Sequence, residues 1–430
     1  MKIMKILMVL IFLSSLLLVQ TVEAEETITK DWEVTIDIDK KDSAWDIEST
    51  KEGNYIVVGS SEKSNSEIYA WLLKLDKNGE EKWRKEYSNG EKSILFSLVD
   101  TNDDKFVAAG TTKKANSNNE DIWVIKIDSE GNLIWNRTFG GELYDIIDSI
   151  QECDDGGFIL TGSSSKLSSD REIIDADILL LRLDEKGDKV WSRKFTELDI
   201  YSGDFVIQTD DSGFLIVGYT NSEDLYLLKT DKDGFEQWNK TYGGTGNEKG
   251  YCVKKTEDDG FIIVGDTESY TPKDDWGDLW LIKTDSNGDE KWNKTYGGKY
   301  SEEGYDLQKT DNGYLILGEK SFSGYWLLKV DKNGNMLWNK TFEIEDDQIY
   351  EEKAKSIEST EDNSYILLGN IGNLNEQDIW MIKTSLSDTE SGDENLENNG
   401  EDESGTPGFE FILLIVVLIT ITLLVYRRKN

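Results

Sequence analysis

A short strand ending in glycine is written seven times in this chain: YIVVG (55–59), FVAAG (106–110), FILTG (158–162), FLIVG (214–218), FIIVG (261–265), YLILG (314–318) and YILLG (365–369). The copies lie 47 to 56 residues apart, a period that points to a stack or ring of equivalent units. A second strand also recurs seven times: WLLKLD (71–76), WVIKID (123–128), LLLRLD (179–184), YLLKTD (226–231), WLIKTD (280–285), WLLKVD (326–331) and WMIKTS (380–385). A third begins at Trp32, Trp83, Trp135, Trp191, Trp238, Trp292 and Trp338. A fourth carries Ser/Asp-apolar-Gln/Glu patterns such as DIE (46–48), SIQ (149–151), DLQ (306–308) and SIE (356–358).

These runs are rich in aromatic and β-branched residues, as strands are. Four strands per unit of about 50 residues predict propeller blades around a central axis. The expected fold class is all-β, a seven-bladed β-propeller over residues 25–384. The first element, Asp31–Ile36, is a Trp-type strand with no partner before it, and the last, WMIK at 380–383, has none after it. The N-terminal strand is therefore expected to close the last blade and remove an exposed edge.

Asp-x-x-Gly follows the second strand in six units, as in Asp285 to Gly288. It reads as a tight turn, with the Asp side chain capping backbone N–H groups and Gly at φ > 0. A calcium loop of the EF-hand kind needs ligands over about twelve residues. The Trp four residues after that Gly is expected to wedge between blades. The basic residue in the second strand (Lys74, Lys126, Arg182, Lys229, Lys283, Lys329, Lys383) is expected to be ion-paired or to snorkel.

The ends differ from the body. Residues 1–24 have a basic start, an apolar run and a small residue at Ala24, as a secretory signal does. Residues 385–406 form an acidic stretch, expected to be a disordered stalk. Residues 407–430 hold an apolar span closed by Arg427, Arg428 and Lys429, a transmembrane pattern with its basic end inside. A net charge of −39 argues against nucleic acid as a partner. The chain has no histidine, which removes histidine-based triads and histidine–zinc sites. Cys153 and Cys252 fall in different units and are expected to be small buried residues.

The body, over about 31–384, resembles the quinoprotein-like β-propellers, whose outer turn also pairs Asp, Gly and a docking Trp. Here Asp and Gly stand three apart, one residue tighter than in that family, and nothing matches its vicinal cysteines or metal cluster. The resemblance implies the scaffold without quinone chemistry. The tail resembles the archaeal PGF-CTERM sorting signal in Pro407, Gly408 and Phe409, followed by the span and the basic end. That resemblance implies an archaeosortase-type enzyme as partner, attachment to membrane lipid, and a place on the extracellular face of the cell membrane.

The expected function is that of a surface-anchored binding, adhesion or envelope-interaction module for an unknown extracellular glycan or protein. The alternatives are a carboxylate-dependent glycoside-active enzyme and a structural coat component. No catalytic residue is assigned and the chain is read as a non-enzyme. Tyr270 and Trp276, in a loop outside the repeat, are the candidate ligand contacts. Asp42, Asp145, Glu248, Glu302 and Glu352 share one repeat position, where they either hydrogen-bond the adjacent blade's backbone or ring a channel mouth as a calcium site; no other cofactor is expected. Asn136, Asn239, Asn293 and Asn339 each begin an N-x-T sequon and are candidate glycosylation sites.

Overall fold

The computed structural model describes residues 26–388, less 64–66, 116, 169–172, 197–199, 221–223, 272–275, 322, 345–350 and 374–375. The expected signal at 1–24 and the sorting segment with Pro407, Gly408 and Phe409 lie outside the described residues, as does most of the acidic stretch. Among the described residues no helix is long and apolar enough to cross a membrane. Residues Glu26–Ser387 make one compact unit.

Among the described residues there are 28 strands, numbered β1–β28 in chain order, from β1 (Glu26–Ile36) to β28 (Gln377–Asp388). They fall into antiparallel sets of four. In one set β18 (Glu248–Lys255), β19 (Phe261–Thr267), β20 (Asp278–Thr284) and β21 (Glu290–Tyr296) pair in order. The first strands of the other sets are β2 (Lys41–Ser49), β6 (Lys92–Asp100), β10 (Tyr144–Glu152), β14 (Ile200–Gln208), β22 (Glu302–Thr310) and β26 (Glu351–Ser359). These first strands touch one another in sequence from β2 to β26, and β26 packs back against β2. Small antiparallel sheets arranged in this way form a β-propeller.

β1 pairs with β28, and the Thr27 hydroxyl donates to the Ser387 carbonyl at 3.3 Å. This corrects the boundary read from the sequence. Ser385–Ser387, assigned to the stalk, belong to β28, where Ser385 pairs with Ser364.

The core lies between neighbouring sheets. One cluster joins Leu215, Val217 and Leu227 to Val253, Ile263 and Trp280 of the next set. Another joins Ala44, Val57 and Trp71 to Ile366, Leu368 and Met381, from opposite ends of the described chain. The second and third strands of each set are buried on both faces, so they read as continuous apolar runs rather than alternating ones.

The Asp-x-x-Gly motif is a turn. Asp285 Oδ1 accepts the N–H groups of Asn287 at 2.9 Å and Asp289 at 3.0 Å, and Gly288 has φ +76°. The Trp of the preceding set lies against that glycine: Trp238 on Gly288, Trp292 on Gly334, Trp83 on Gly131, and Trp32 of β1 on Gly79. The turn thus receives the neighbouring blade's ring. The repeated base, on the third strand of each set, is buried. Lys74 donates to the Ser129 carbonyl and Lys329 to the Thr310 hydroxyl. In the other five sets the base turns to an aspartate of a loop in its own set, as Lys283 does to Asp258 at 2.7 Å. That hydrogen bond, helped by the Thr256 hydroxyl, pulls Asp258 down to about 2.

A Cβ on Gly288 would lie 2.7–2.9 Å from the Trp238 ring, on top of the strain of a positive φ. We expect Gly288→Ala and Trp238→Ala each to lower stability by about 2–3 kcal/mol. We expect the double variant to fall well short of the sum, because both remove one contact. Urea unfolding of the three variants measures this, and simple additivity would show that the ring and the turn act independently.

Candidate functional site: the axial cavity

Each of the seven first strands carries a β-bulge at the same place. The register slips between Ala44 and Asp46, Leu95 and Ser97, Ile147 and Ser149, Gly203 and Phe205, Gly250 and Cys252, Gly304 and Asp306, and Ala354 and Ser356. A bulge leaves one residue unpaired and re-aims its side chain. The repeated glycine of the second strand explains its position. Gly59, Gly110, Gly162, Gly218, Gly265, Gly318 and Gly369 each face the carbonyl two residues before the bulged one, where a Cβ would lie far inside van der Waals contact.

The bulged residues are Trp45, Phe96, Asp148, Asp204, Tyr251, Tyr305 and Lys355. All but one set contributes its bulged residue or the next to a shared polar ring. Asp46 Oδ2 accepts the Leu98 N–H at 2.9 Å and the Ser97 hydroxyl at 3.2 Å. Ser97 Oγ accepts the Ile150 N–H at 3.2 Å, and Ser149 Oγ the Val206 N–H at 3.4 Å. Asp306 Oδ2 accepts the Ile357 N–H at 3.0 Å, and the Ser356 hydroxyl donates to Asp46 Oδ1 at 3.1 Å. Cys252 takes the same place in its set, its sulfur facing the Leu307 N–H and Asp306. Phe205 holds the position in the remaining set and offers no acceptor.

Above this ring is a cavity of about 480 Å³ to which all seven first strands contribute. Trp45, Phe96, Phe205, Tyr219, Tyr251 and Tyr305 supply its aromatic walls, and Asp46, Asp148, Asp204, Asp306, Lys249 and Lys355 its charges. Asp148 and Asp204 are bulged residues of adjacent sets, with Ser202 donating to Asp148 Oδ2 at 3.3 Å. Burial pushes Asp148 up to about 7, with Ser202 opposing. Burial, then the Asp148 charge, raises Asp204 as well. In both, the buried site disfavours the charged form. Asp204 Oδ2 is shut off from solvent and has no hydrogen-bond partner. Lys355 Nζ stands 4.8 Å from the Trp45 ring centre and 5.7 Å from that of Tyr305. Burial lowers its pKa.

Beyond the polar ring, Lys254 sits among Glu48, Glu358, Asp306 and Cys252. Burial opposes its charge, but these neighbours raise its pKa. Burial raises Glu48 and Glu358 together, the latter to about 7.

The five carboxylates expected to ring a calcium site do not assemble. Each is buried or half-buried at the base of its own loop, where it accepts local donors. Asp42 takes the Ile38 and Asp39 N–H groups and the Ser61 hydroxyl, and Asp145 the Ser164 hydroxyl. Glu248 takes the Gly244 N–H, Glu302 the Gly298 N–H, and Glu352 the Ile344 N–H. Among the described residues, the one group of three acids close enough to share an ion is Asp37, Asp42 and Asp378. Only Asp42 is common to both sets.

The two loop aromatics behave differently from each other. Tyr270 donates its hydroxyl to the Gly243 carbonyl at 2.8 Å and lies 5.2 Å from the Trp280 ring, so it serves the loop's own packing. Trp276 is 74% exposed. The sequon residues lie on outer strands. Asn136 and Asn339 are exposed, while Asn239 and Asn293 are half-buried. Asn293 and Asn339 also accept the indole N–H of Trp280 and Trp326, at 3.3 and 3.0 Å.

No family model matches this chain, and no curated protein does. Among solved structures it is similar to the β-propeller domain of the trilobed protease from Pyrococcus furiosus, at 10% identity and TM-score 0.44, covering 80% of this chain and 94% of that one. It is similar to the acylaminoacyl peptidase of Pyrococcus horikoshii at 11% identity and TM-score 0.45, covering 80% of this chain and 51% of that one. It is also similar to Sqt1 from Chaetomium thermophilum, at 10% identity and TM-score 0.45, covering 81% and 87%. These likenesses concern the propeller fold. The expectation of an adhesion or envelope module, with its glycoside-active and coat alternatives, is corrected here. Two of these three propellers belong to a protease and a peptidase.

The raised carboxyls give a pH dependence with a definite sign. Asp46, raised to about 6 mainly by burial, and Asp148 stay protonated in the fold where they would ionise in the unfolded chain. The folded state then binds more protons between about pH 4 and 7, so stability falls as pH rises through that window. Asp258, held low, acts oppositely, and its contribution is lost only as pH falls from about 4 towards 2. We expect the melting temperature to be higher at about pH 5 than at about pH 8 by roughly 5 °C, and Asp148→Asn to flatten that difference. Calorimetry across the range checks it.

Proposed function

We propose that the chain is a closed seven-bladed ring that binds a small organic cation in its axial cavity. The observation that carries the reading is the convergence of aspartates and aromatic rings from six of the seven first strands on one cavity, to which β26 adds Lys355 and Ser356. Carboxylates and aromatic faces together recognise ammonium and guanidinium groups, by charge and by cation–π attraction. The size suits a small ligand rather than a folded partner. The acidity of the chain as a whole also favours the approach of cations at low salt.

Ring closure in this reading is made by β1, which supplies the outer strand beside β28 and the Trp32 ring on Gly79. Removing residues 26–36 leaves β28 without its neighbour, an open edge that invites pairing between chains. We expect the truncated protein to melt lower and to self-associate in analytical ultracentrifugation. A monomer of unchanged stability would refute closure by β1. The export signal, the acidic stretch and the sorting segment complete the proposal by placing the ring outside the membrane.

Ligand binding is tested by isothermal titration of residues 25–388 with butylamine, agmatine and guanidinium. We expect saturable binding that weakens about tenfold in Asp204→Asn, about 1.4 kcal/mol. Trp276→Ala, which lies outside the cavity, should bind as the parent does. Binding that survives Asp204→Asn unchanged, or no binding of any of the three cations, overturns the reading.

A further inference from the structure

The axial cavity holds polar groups of both signs, and they occupy different blades. Asp148 and Asp204 come from β10 and β14, adjacent in the ring. Lys355 comes from β26, and the Trp45 ring beneath it from β2. The order of contacts, β2–β6–β10–β14–β18–β22–β26, sets these two pairs on different sides of the axis. Each side carries a polar group with bonding capacity to spare. Asp204 Oδ2 has no hydrogen-bond partner. The Lys355 ammonium, among the described residues, rests on two aromatic rings without an ion pair or hydrogen bond to a side chain.

On this basis, and resting on the cation reading above, we propose that the ligand of the axial cavity is a zwitterion, an amino acid or short peptide. Its ammonium would meet Asp148 and Asp204, and its carboxylate would meet Lys355. The chemistry of the two sides is complementary to such a ligand. An ammonium offers three donors to the carboxyl pair, and a carboxylate accepts the donors of Lys355. A simple amine would leave the lysine where it is and would be repelled by it. A simple carboxylate would meet four aspartates.

Lys355 has a second consequence. Its ammonium already lies on the Trp45 and Tyr305 faces, the surfaces that an incoming cation would use. It therefore turns cations away from that side and fixes the direction in which a zwitterion enters. Lys249, held 5.5 Å from the Tyr219 ring, is the other cation that lines the cavity. Its charge acts on Asp204, so it belongs to the acidic side and tempers it. Tyr251 also lines this side and acts on Asp266 through a hydrogen bond. Glu303 and Glu319 act on Lys355 from β22 and the strand Gly313–Lys320.

The test titrates residues 25–388 with glycine, glycylglycine and 6-aminohexanoate, and with butylamine and butyrate as half-ligands. It repeats the series in Asp204→Asn and Lys355→Met, whose folding is checked by melting. We expect at least one zwitterion to bind tenfold or more tightly than butylamine, and butyrate to bind weakest. We expect Lys355→Met to cancel the advantage of the zwitterion and to tighten butylamine. Asp204→Asn should weaken both. If butylamine binds as tightly as every zwitterion and Lys355→Met changes nothing, the zwitterion proposal fails while the cation reading stands. If neither butylamine nor any zwitterion binds, both fail.

Discussion

The crowding between a glycine and a carbonyl decides most of this structure. In every set the second strand brings a glycine against the first strand's backbone, at a distance that admits no side chain. That approach fixes where the first strand bulges. The bulge turns one residue per blade towards the axis and leaves the following residue to reach sideways. Both the polar ring that joins the blades and the cavity above it are products of this one local geometry. A propeller blade is thin, and its inner edge has little apolar surface to bury. Hydrogen bonds that Asp46, Ser97, Ser149 and Asp306 accept from the next blade's backbone N–H groups do there what side-chain packing does further out.

This division explains what could be read from the sequence. The glycine strand recurs seven times and the Asp-x-x-Gly turn with its docked Trp six times, because each copy performs the same steric task, so the periodicity reveals them. The polar ring was half visible in the Ser/Asp-apolar-Gln/Glu pattern. Its partners, the N–H groups of Leu98, Ile150 and Ile357, belong to other blades and leave no trace in composition. The cavity was not legible. Its lining residues, Trp45, Phe96, Asp148, Asp204, Tyr251, Tyr305 and Lys355, differ from blade to blade, and a search for regularity passes over them. The carboxylates that did recur, Asp42 and its four counterparts, recur because they cap equivalent loops. Among 86 acidic residues, repetition marks architecture, and the acids that break the pattern mark the cavity.

The charge of the chain is also not evenly used. Turn aspartates such as Asp285 and loop aspartates such as Asp258 are held low by the donors around them, and Asp258 shows how strongly one lysine can hold such a group. The axial acids are arranged the other way. Burial works against the charge of Asp46, Asp148, Asp204, Glu48 and Glu358, and each has another acid near it: Asp148 beside Asp204, Asp46 beside Asp306, Glu48 beside Glu358. Lys254 offsets the last two pairs from below. Among the described residues, Lys249 is the cation that acts on the pair Asp148–Asp204, through Asp204, and both acids line the cavity.

The polar ring is incomplete at one blade, and the break is informative. Phe205 stands where the other sets place an aspartate, a serine or a cysteine, and it gives no acceptor to its neighbour. The bulged residue just before it is Asp204, beside Asp148 on the preceding blade. A chain selected only for a stable ring would place a hydrogen-bonding residue at 205 and an apolar one at 204. Here the order is reversed: the apolar ring takes the structural position, and the acid, with one oxygen left unbonded, takes the position that faces the cavity. Local sequence rules are broken most often where a site needs a strained or unsatisfied group. The departure at Asp204 and Phe205 coincides with the acidic side of the cavity, and it singles out these two blades as the ones shaped by something other than the ring itself.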